Sequence, residues 1–201
     1  MNRTLAITIA AVGGVLLVAL LIAGWGISAY NRMVTAEESV KTGWSQVDNQ
    51  YQRRYDLIPN LVETVKGVAK QEQTVLENVT KARASVGQLS VTPEILNDPQ
   101  AFSKFQQAQD GLGSALSRLL VVTENYPQLR SVESFITLQS QLEGTENRIA
   151  VERRRFNETV QEFNTLIRRF PASFIASVSG FKEKAYFQAT GGSEKPPPVK
   201  F

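Results

Sequence analysis

The chain has 201 residues, of which 42% are hydrophobic and 20% charged, and a formal net charge of +3. This length and composition fit one domain of ordinary size. Three surplus positive charges do not form a phosphate-tracking surface, so no nucleic-acid partner is expected. The sequence contains no histidine and no cysteine, which excludes imidazole and thiolate chemistry, disulfides and the Glu-x-x-His metal sites of helical bundles. No cofactor and no metal are expected.

The first structural signal is the N-terminus. Residues 4–29 contain no charged side chain, and at about 1.5 Å per residue a helix of this length crosses a hydrocarbon core roughly 30 Å thick. A cleaved signal peptide is the alternative, but its apolar region is usually only about 7 to 15 residues long. The sequence therefore predicts a single membrane-spanning anchor over residues 1–30, with Trp25 and Tyr30 near one interface.

Positive charges flank the predicted span almost evenly, with Arg3 before it and Arg32 and Lys41 after it. Since topology follows the side richer in Lys and Arg, this balance favours an inside N-terminus only by a small margin. Small residues recur four apart on one face of the span: Ala6, Ala10 and Gly14. This face predicts self-association, although such residues are also simply frequent in membrane spans.

Beyond residue 30, apolar side chains recur every seven residues, which predicts helices packed on helices. Two interleaved series run from Val40 to Ala82 and from Trp44 to Val86. The last long helix has the clearest repeat: Phe135, Leu142, Ile149, Phe156, Phe163 and Phe170. No strand pattern of useful length competes with these repeats. The soluble part is therefore predicted to be an all-α bundle.

Helix boundaries are marked by prolines and candidate caps. Asp98-Pro99 predicts the start of a helix that ends before Pro127, and Ser131 is a candidate cap for the next one. After Pro171, a short apolar helix is expected to end at Gly180. These boundaries divide the chain into the anchor over 1–30, a helical bundle over 31–180 and an extended, flexible tail over 181–201.

Pro59 lies inside the first apolar seam. In a helix interior, proline removes one N–H donor and collides with the carbonyl four residues earlier, here that of Tyr55, at a cost of about 3 kcal/mol. Asp56 is placed to cap a new helix, so the residues favour a break or sharp kink between 54 and 58. The apolar series keeps its phase across Pro59, which favours an almost continuous helix instead. Even packing favours the break, and we expect about four antiparallel helices of up-and-down type.

Four segments together resemble the LemA family of bacterial membrane-anchored proteins. They are YNRMV (30–34), VKTGWSQVDNQYQRRYDLIPNLVETVKGVAKQE (40–72), ENRIAVERRRFNETVQEFNTLIRRFP (146–171) and YFQA (186–189). The resemblance implies a single N-terminal span and an up-and-down helical bundle, and it implies little about function. The residues expected to have structural or interaction roles are Arg53, Arg54, Asp56, Pro59, Asn60, Glu146, Asn147, Arg148, Asn157, Asn164 and Pro171.

Some polar residues fall in or beside the apolar seams. Arg54 and Glu72 interrupt the first seam. A long arginine at such a position either snorkels to water or pairs with an acid on a facing helix. For Arg54, the hypothesis is a pair with Glu146 or Glu152.

The repeated Phe-Asn pairs place Asn157 and Asn164 seven residues apart beside two core rings. Their amides are expected to bond neighbouring helices or water, although a partner's backbone can use them as well. The arginines at 153–155 and 168–169 are expected to be solvated, with contact to acidic lipid or to an acidic partner as the alternative.

No arrangement of residues in the sequence predicts an active site. The glutamates of the last long helix are expected to be solvated or paired with nearby arginines. We therefore expect a non-enzymatic, membrane-anchored scaffold or interaction protein of the bacterial envelope. Its expected place is the inner membrane, which it spans once with the soluble domain outside, and its expected partners are the bilayer, further copies or other envelope proteins. The alternative is a lipid-handling or accessory component of an enzyme or transporter with an unrecognised site.

Overall fold

The computed structural model describes residues 3–69, 71–89 and 92–189. Within these ranges there is no strand, and the predicted all-α fold is confirmed. The α-helices are α1 (Arg3–Val68), α2 (Gln73–Gly87), α3 (Pro99–Thr123), α4 (Glu133–Arg168) and α5 (Ala172–Ser179). Two short 3₁₀ helices, Pro93–Asn97 and Pro127–Ser131, precede α3 and α4.

The 66 residues of α1 form one helix that runs from the apolar stretch into the bundle. Its N-terminal part is long and apolar enough to cross a membrane. Residues 11–25 of this part are exposed, so the bundle does not cover them. Gly14 of the small-residue face lies here, whereas the side chains of Ala6 and Ala10 lie outside the described part of the structure.

The break expected near Pro59 is wrong, because α1 continues through Pro59 to Val68. Asp56 does not cap a helix, and its carboxylate accepts a hydrogen bond of 2.8 Å from Gln52 Nε2. The carbonyl oxygen of Tyr55, which Pro59 deprives of its helical donor, accepts instead from Arg83 Nε at 3.2 Å. This donor from α2 offsets part of the cost of the proline, so the helix persists.

The chain reverses after Val68 rather than at Pro59. Arg83 of α2 contacts Tyr55, so α2 runs back along α1. At the distal end, the hydroxyl of Tyr126 after α3 donates to Glu72 before α2 at 2.8 Å. Helix α4 then returns along α1 towards its apolar N-terminal part, which completes an up-and-down bundle.

Two clusters of buried side chains form the interior. We call the cluster nearer the apolar half of α1 the proximal core, and its large members include Trp44, Tyr51, Phe102, Phe105, Phe156, Phe163 and Phe187. The distal core includes Ile58, Leu61, Leu112, Leu116, Leu119, Phe135 and Leu142. The seven-residue repeats therefore identified most of the buried positions on α1 and α4.

The repeat of α4 fails at its last member. Phe135 to Phe163 are buried, but Phe170 lies beyond the end of α4 and is 90% exposed. Ser131 does not cap α4 either, because it belongs to the preceding 3₁₀ helix and the cap position is Val132. The predicted helix after Pro171 is present as α5, and Gly180 ends it in the left-handed conformation with φ 77°.

Candidate functional site

Residues 181–189 form an extended segment, the C-terminal segment, that crosses the surface between α3 and α4. Two of its side chains are nearly inaccessible, since Lys184 is 7% and Phe187 6% exposed. The domain boundary at residue 180 stays a prediction, but these nine residues contribute to the core of the bundle. The proline-rich end of the predicted tail lies outside the described residues.

Three side-chain amides hold the backbone of this segment. Asn164 donates to the carbonyl of Lys184 and accepts from its N–H, both at 2.9 Å. Asn157 makes the same pair of bonds to Phe187, again both at 2.9 Å. Gln106 of α3 donates to the carbonyl of Gln188 at 2.8 Å and accepts from its N–H at 3.0 Å. We call these three residues and the surface between them the amide groove.

The spacing of the two asparagines matches an extended chain. Seven residues of α-helix rise about 10.5 Å, and three residues of extended chain cover about 10 Å. Asn157 and Asn164 are seven apart on α4, and the residues they hold, Phe187 and Lys184, are three apart. Each amide uses one N–H donor and its oxygen acceptor, so it satisfies a residue's backbone as a neighbouring β-strand would. The amide groove therefore recognises an extended backbone in one register.

The ring of Phe187 fills a pocket made of aromatic side chains. It stacks on Trp44 with centroids 6.1 Å apart and an interplanar angle of 19°, and its centroid lies 4.8 Å from that of Phe102. Phe156 meets it edge-on at 5.5 Å. Arg153 completes the pocket with its guanidinium carbon 4.9 Å from the ring centroid. The pocket selects a large aromatic side chain at this position of the segment.

The ammonium group of Lys184 is held by polar groups on other elements. It donates to Glu37 of α1 at 2.6 Å and to Asn97 at 2.7 Å. Its nitrogen also lies 5.4 Å from the ring centroid of Phe163. These contacts compensate the loss of water around a buried cation.

The same Arg153 also connects the amide groove to α1 and α3. Arg153 Nη2 contacts Asp110 at 2.7 Å, and its Nε donates to the hydroxyl of Tyr51 at 2.5 Å. Burial raises the pKa of Tyr51 to about 12, although the nearby Arg153 acts in the opposite direction. Tyr51 therefore remains a neutral hydrogen-bonding group at physiological pH.

The buried Arg54 lies below an open cleft of about 820 Å³ between α3 and α4. Its Nη1 bonds Glu146 at 3.0 and 3.2 Å, and its Nη2 bonds the carbonyl oxygen of Gln109 at 3.0 Å as well as the Gln109 side chain. The sequence predicts that Arg54 pairs with either Glu146 or Glu152, and the structure shows the contact with Glu146. Glu152, the other candidate, instead contacts Arg155 at 2.9 Å. The guanidinium thus joins α1, α3 and α4.

Comparison with known proteins places this architecture in a family. The model of the LemA family matches residues 43–201, which include the whole amide groove and the C-terminal segment. The chain belongs to the LemA family. This confirms the resemblance carried by the sequence segments above.

The curated relatives share 27% or 28% of their aligned residues with this chain. The magnetosome protein MamQ of Magnetospirillum gryphiswaldense is 27% identical over 183 residues, which cover 83% of this chain and 67% of MamQ. The magnetosome proteins MamQ 1 and MamQ 2 of Paramagnetospirillum magneticum are each 28% identical over the same length, with the same coverage.

The structure gives the predicted residues of this LemA-family chain different environments. It brings Arg54 and Glu146 into contact, and it brings Asn157 and Asn164 to one segment. The remaining predicted residues do not converge on a common site. They are exposed to solvent at separate places on α1, on α4 and before α5: Arg53, Asp56, Pro59, Asn60, Asn147, Arg148 and Pro171. Asn147 alone among them lines the cleft above Arg54.

Three residues of the amide groove and its occupant were not predicted from the sequence. Gln106 carries no local signal, and Lys184 lies in a region predicted to be free tail. Phe187 is part of the YFQA segment that contributed to the LemA resemblance. That segment was the one feature of the sequence that could have indicated a structural role for Phe187. The amides of Asn157 and Asn164 were expected to bond helices or water, and they bond the chain's own C-terminal segment instead.

Proposed function

We propose that this LemA-family chain is a non-enzymatic, single-pass scaffold or interaction protein of the bacterial inner membrane. Its helical bundle presents surfaces to further copies of the chain and to other envelope proteins. The bundle stands on the periplasmic side, and the bilayer holds the N-terminal part of α1. The relatives are named as magnetosome proteins, and these names specify no reaction.

The continuity of α1 is the observation that supports this proposal most directly. One helix of 66 residues contains both the apolar stretch and a buried face of the bundle. At about 1.5 Å per residue it extends roughly 100 Å, without a linker between membrane and bundle. Such a rod holds the bundle at a fixed distance from the lipid, which suits a scaffold.

The polar residues of the interior also favour a structural role. Arg54, Arg153 and Lys184 each contact a carboxylate of the same chain, namely Glu146, Asp110 and Glu37. These charged groups are paired with each other within the chain. A catalytic group, in contrast, usually faces the space that a substrate occupies. The same charges fix how α1, α3, α4 and the C-terminal segment meet.

The lipid-handling alternative requires a deep apolar pocket. The cleft above Arg54 is open to solvent and lined by polar as well as apolar side chains. A second cleft, between α1 and α2, is likewise open and includes Glu63, Lys66 and Glu77. Both clefts are open rather than deep, so the scaffold is the function we propose.

Self-association is tested with two differently tagged copies of the full chain expressed in one cell. We expect the two tags to co-purify from mild detergent, and cross-linking in intact membranes to give dimers or larger species. Mixing two singly expressed preparations after extraction is the control for exchange in detergent. If the tags never co-purify and cross-linking yields only monomers without any envelope partner, the scaffold proposal is wrong.

The orientation is tested by proteolysis from the outside. In cells with a permeabilised outer membrane and an intact inner membrane, we expect external protease to degrade the bundle. A cytoplasmic marker protein that stays intact is the control. Protection of the bundle until the inner membrane is opened would place it inside the cell.

A further inference from the structure

Helix α5 is apolar on the face that it turns away from the bundle. Phe174 and Val178 lie four residues apart on this face and are 73% and 75% exposed, and Phe170, immediately before the helix, is 90% exposed. Large apolar side chains occur singly on most protein surfaces, but three neighbouring ones exposed to this extent form a patch. The eight residues of α5 include no charged side chain.

The opposite face of α5 is fixed to the bundle. Ala172 and Ala176 are buried in the proximal core. The side chain of Ile175 lies against Gly26 of α1, where a Cβ on the glycine would be 3.6 Å from Ile175 Cδ1. Just after α5, the ring of Phe181 contacts that of Tyr30 with centroids 5.8 Å apart. The exposed face is therefore held in place and is not part of a loose end.

These contacts set the height of α5 relative to the predicted span. Gly26 belongs to the uncharged stretch of residues 4–29, and Trp25 and Tyr30 at the same level are the expected interface anchors. That stretch is about 39 Å long at 1.5 Å per residue, while the hydrocarbon core is about 30 Å thick. The end of the stretch thus lies at the boundary between acyl chains and headgroups, and α5 lies beside it.

Charges around α5 match a phospholipid surface. Arg168 and Arg169 precede the helix and Lys182 follows it, and all three are exposed. Two acids lie near this group. Glu183 lies 3.6 Å from Arg168, with both side chains more than half exposed, and Glu162 lines a shallow cleft together with Arg169. An apolar helix face bordered by cations is the pattern of helices that lie in the membrane interface.

We propose that α5 is a second membrane contact, an interfacial helix that inserts Phe170, Phe174 and Val178 below the lipid headgroups while the neighbouring cations meet the phosphates. This inference rests on the anchor of the proposed function, because α1 brings α5 to the bilayer. The ligand is the lipid surface itself. With α1 and α5 both in the membrane, the bundle is held at two points and cannot tilt freely about the span.

The test uses the full chain in vesicles of phosphatidylcholine and phosphatidylglycerol. The sequence has no cysteine, so single labels introduced by Phe174→Cys and, independently, Val178→Cys report unambiguous positions. A fluorophore at either site is challenged with nitroxide lipids and with aqueous iodide. Ile136→Cys, at an exposed apolar residue of α4 far from the membrane, is the matched control, and Leu17→Cys reports on the span.

We expect nitroxide lipids to quench the labels at 174 and 178 several-fold more than the label at 136, and iodide to show the reverse order. Quenching at 174 and 178 by iodide alone overturns the proposal, provided that the label at 17 is quenched by lipid. Shielding of both labels from both quenchers also overturns it, because a protein contact then covers α5. If the label at 17 escapes the lipid, the anchor itself fails.

Discussion

The guanidinium of Arg83 donates a hydrogen bond to the carbonyl of Tyr55, the acceptor that Pro59 leaves without a helical partner. The guanidinium carbon also lies 3.7 Å from the centroid of the Tyr55 ring. One side chain of α2 thus donates to the free carbonyl of Tyr55 and packs on the ring of the same residue. This contact explains how a helix that contains an internal proline stays continuous.

A double-mutant cycle measures this repair. Arg83→Met leaves the Tyr55 carbonyl without its donor, and we expect a loss of about 1 to 3 kcal/mol in the free energy of unfolding. Pro59→Ala restores the helical N–H, so Arg83→Met should cost less in that background. The measurement is urea unfolding of the full chain in detergent micelles. Lys81→Met, at an exposed position on the same helix, is the control and should change stability by no more than about 0.5 kcal/mol.

The pair of Arg54 and Glu146 should show a similar coupling. Glu146→Gln removes the charged partner of a guanidinium that is 3% exposed, and we expect a cost of about 1 to 3 kcal/mol. Adding Arg54→Met should recover part of that cost, because no unpaired cation then remains in the interior. Thermal or urea unfolding of the parent chain, of Glu146→Gln and Arg54→Met separately, and of the double variant gives the coupling energy. Strictly additive effects would contradict an energetic role for this contact.

The amide groove should determine whether the C-terminal segment stays in place. Asn164→Ala leaves the buried N–H and carbonyl of Lys184 unpaired, at a cost of about 1 to 3 kcal/mol. We expect hydrogen exchange of residues 181–189 to accelerate by about 5- to 150-fold, since each 1.4 kcal/mol changes an equilibrium tenfold. Exchange in the distal core should change much less. Asn147→Ala, at an exposed asparagine on the same helix, is the control, and equal acceleration there would refute a specific role for Asn164.

Tyr51 should make the bundle sensitive to alkaline pH. Its pKa in the folded chain is about 12, above the ordinary value of 10.0, because burial disfavours the phenolate. The folded state therefore binds the proton more tightly, and this stabilisation is complete below pH 10 and lost as the pH rises towards 12. Two pKa units correspond to roughly 2 to 3 kcal/mol.

Tyr51→Phe removes this titration. Unfolding free energies measured across the alkaline range should decline less steeply in the variant than in the parent chain, even though the loss of the Arg153 hydrogen bond lowers the starting value. The slope is the informative quantity. Identical slopes in the two chains would show that Tyr51 titrates at the same pH when folded and unfolded.

The helical architecture was predictable because burial imposes a local rule on the sequence. Residues such as Trp44, Phe156 and Phe163 belong to the seven-residue series, and all three are buried. The course of α1 through Pro59 was not predictable in this way. Its compensating donor, Arg83, is 28 residues away in the sequence, and no local pattern connects the two.

In the candidate site, too, features set by nearby residues were predictable, whereas contacts between residues far apart in the sequence were not. The repeat of Phe-Asn pairs correctly indicated polar groups beside core rings at Asn157 and Asn164. Their occupant was missed because Lys184 is a cation in a hydrophilic stretch, and the partners that permit its burial, Glu37 and Asn97, are 147 and 87 residues away. For Phe170 the local pattern was misleading. Its position in the seven-residue repeat predicted burial, but α4 ends at Arg168 and Phe170 is exposed.

The uninterrupted α1 also fixes the rotational orientation of the bundle about the axis of this helix. Each residue of an α-helix turns the chain by about 100°, so the number of residues between the lipid and Trp44 decides which side of the bundle faces which part of the membrane. Inserting one residue near position 30 would swing the amide groove and the cleft by more than a quarter of a turn around the membrane normal. In this molecule the number of residues in one continuous helix determines the direction in which each surface of the bundle faces. Within residues 3–68, no flexible hinge separates the apolar part of α1 from the bundle.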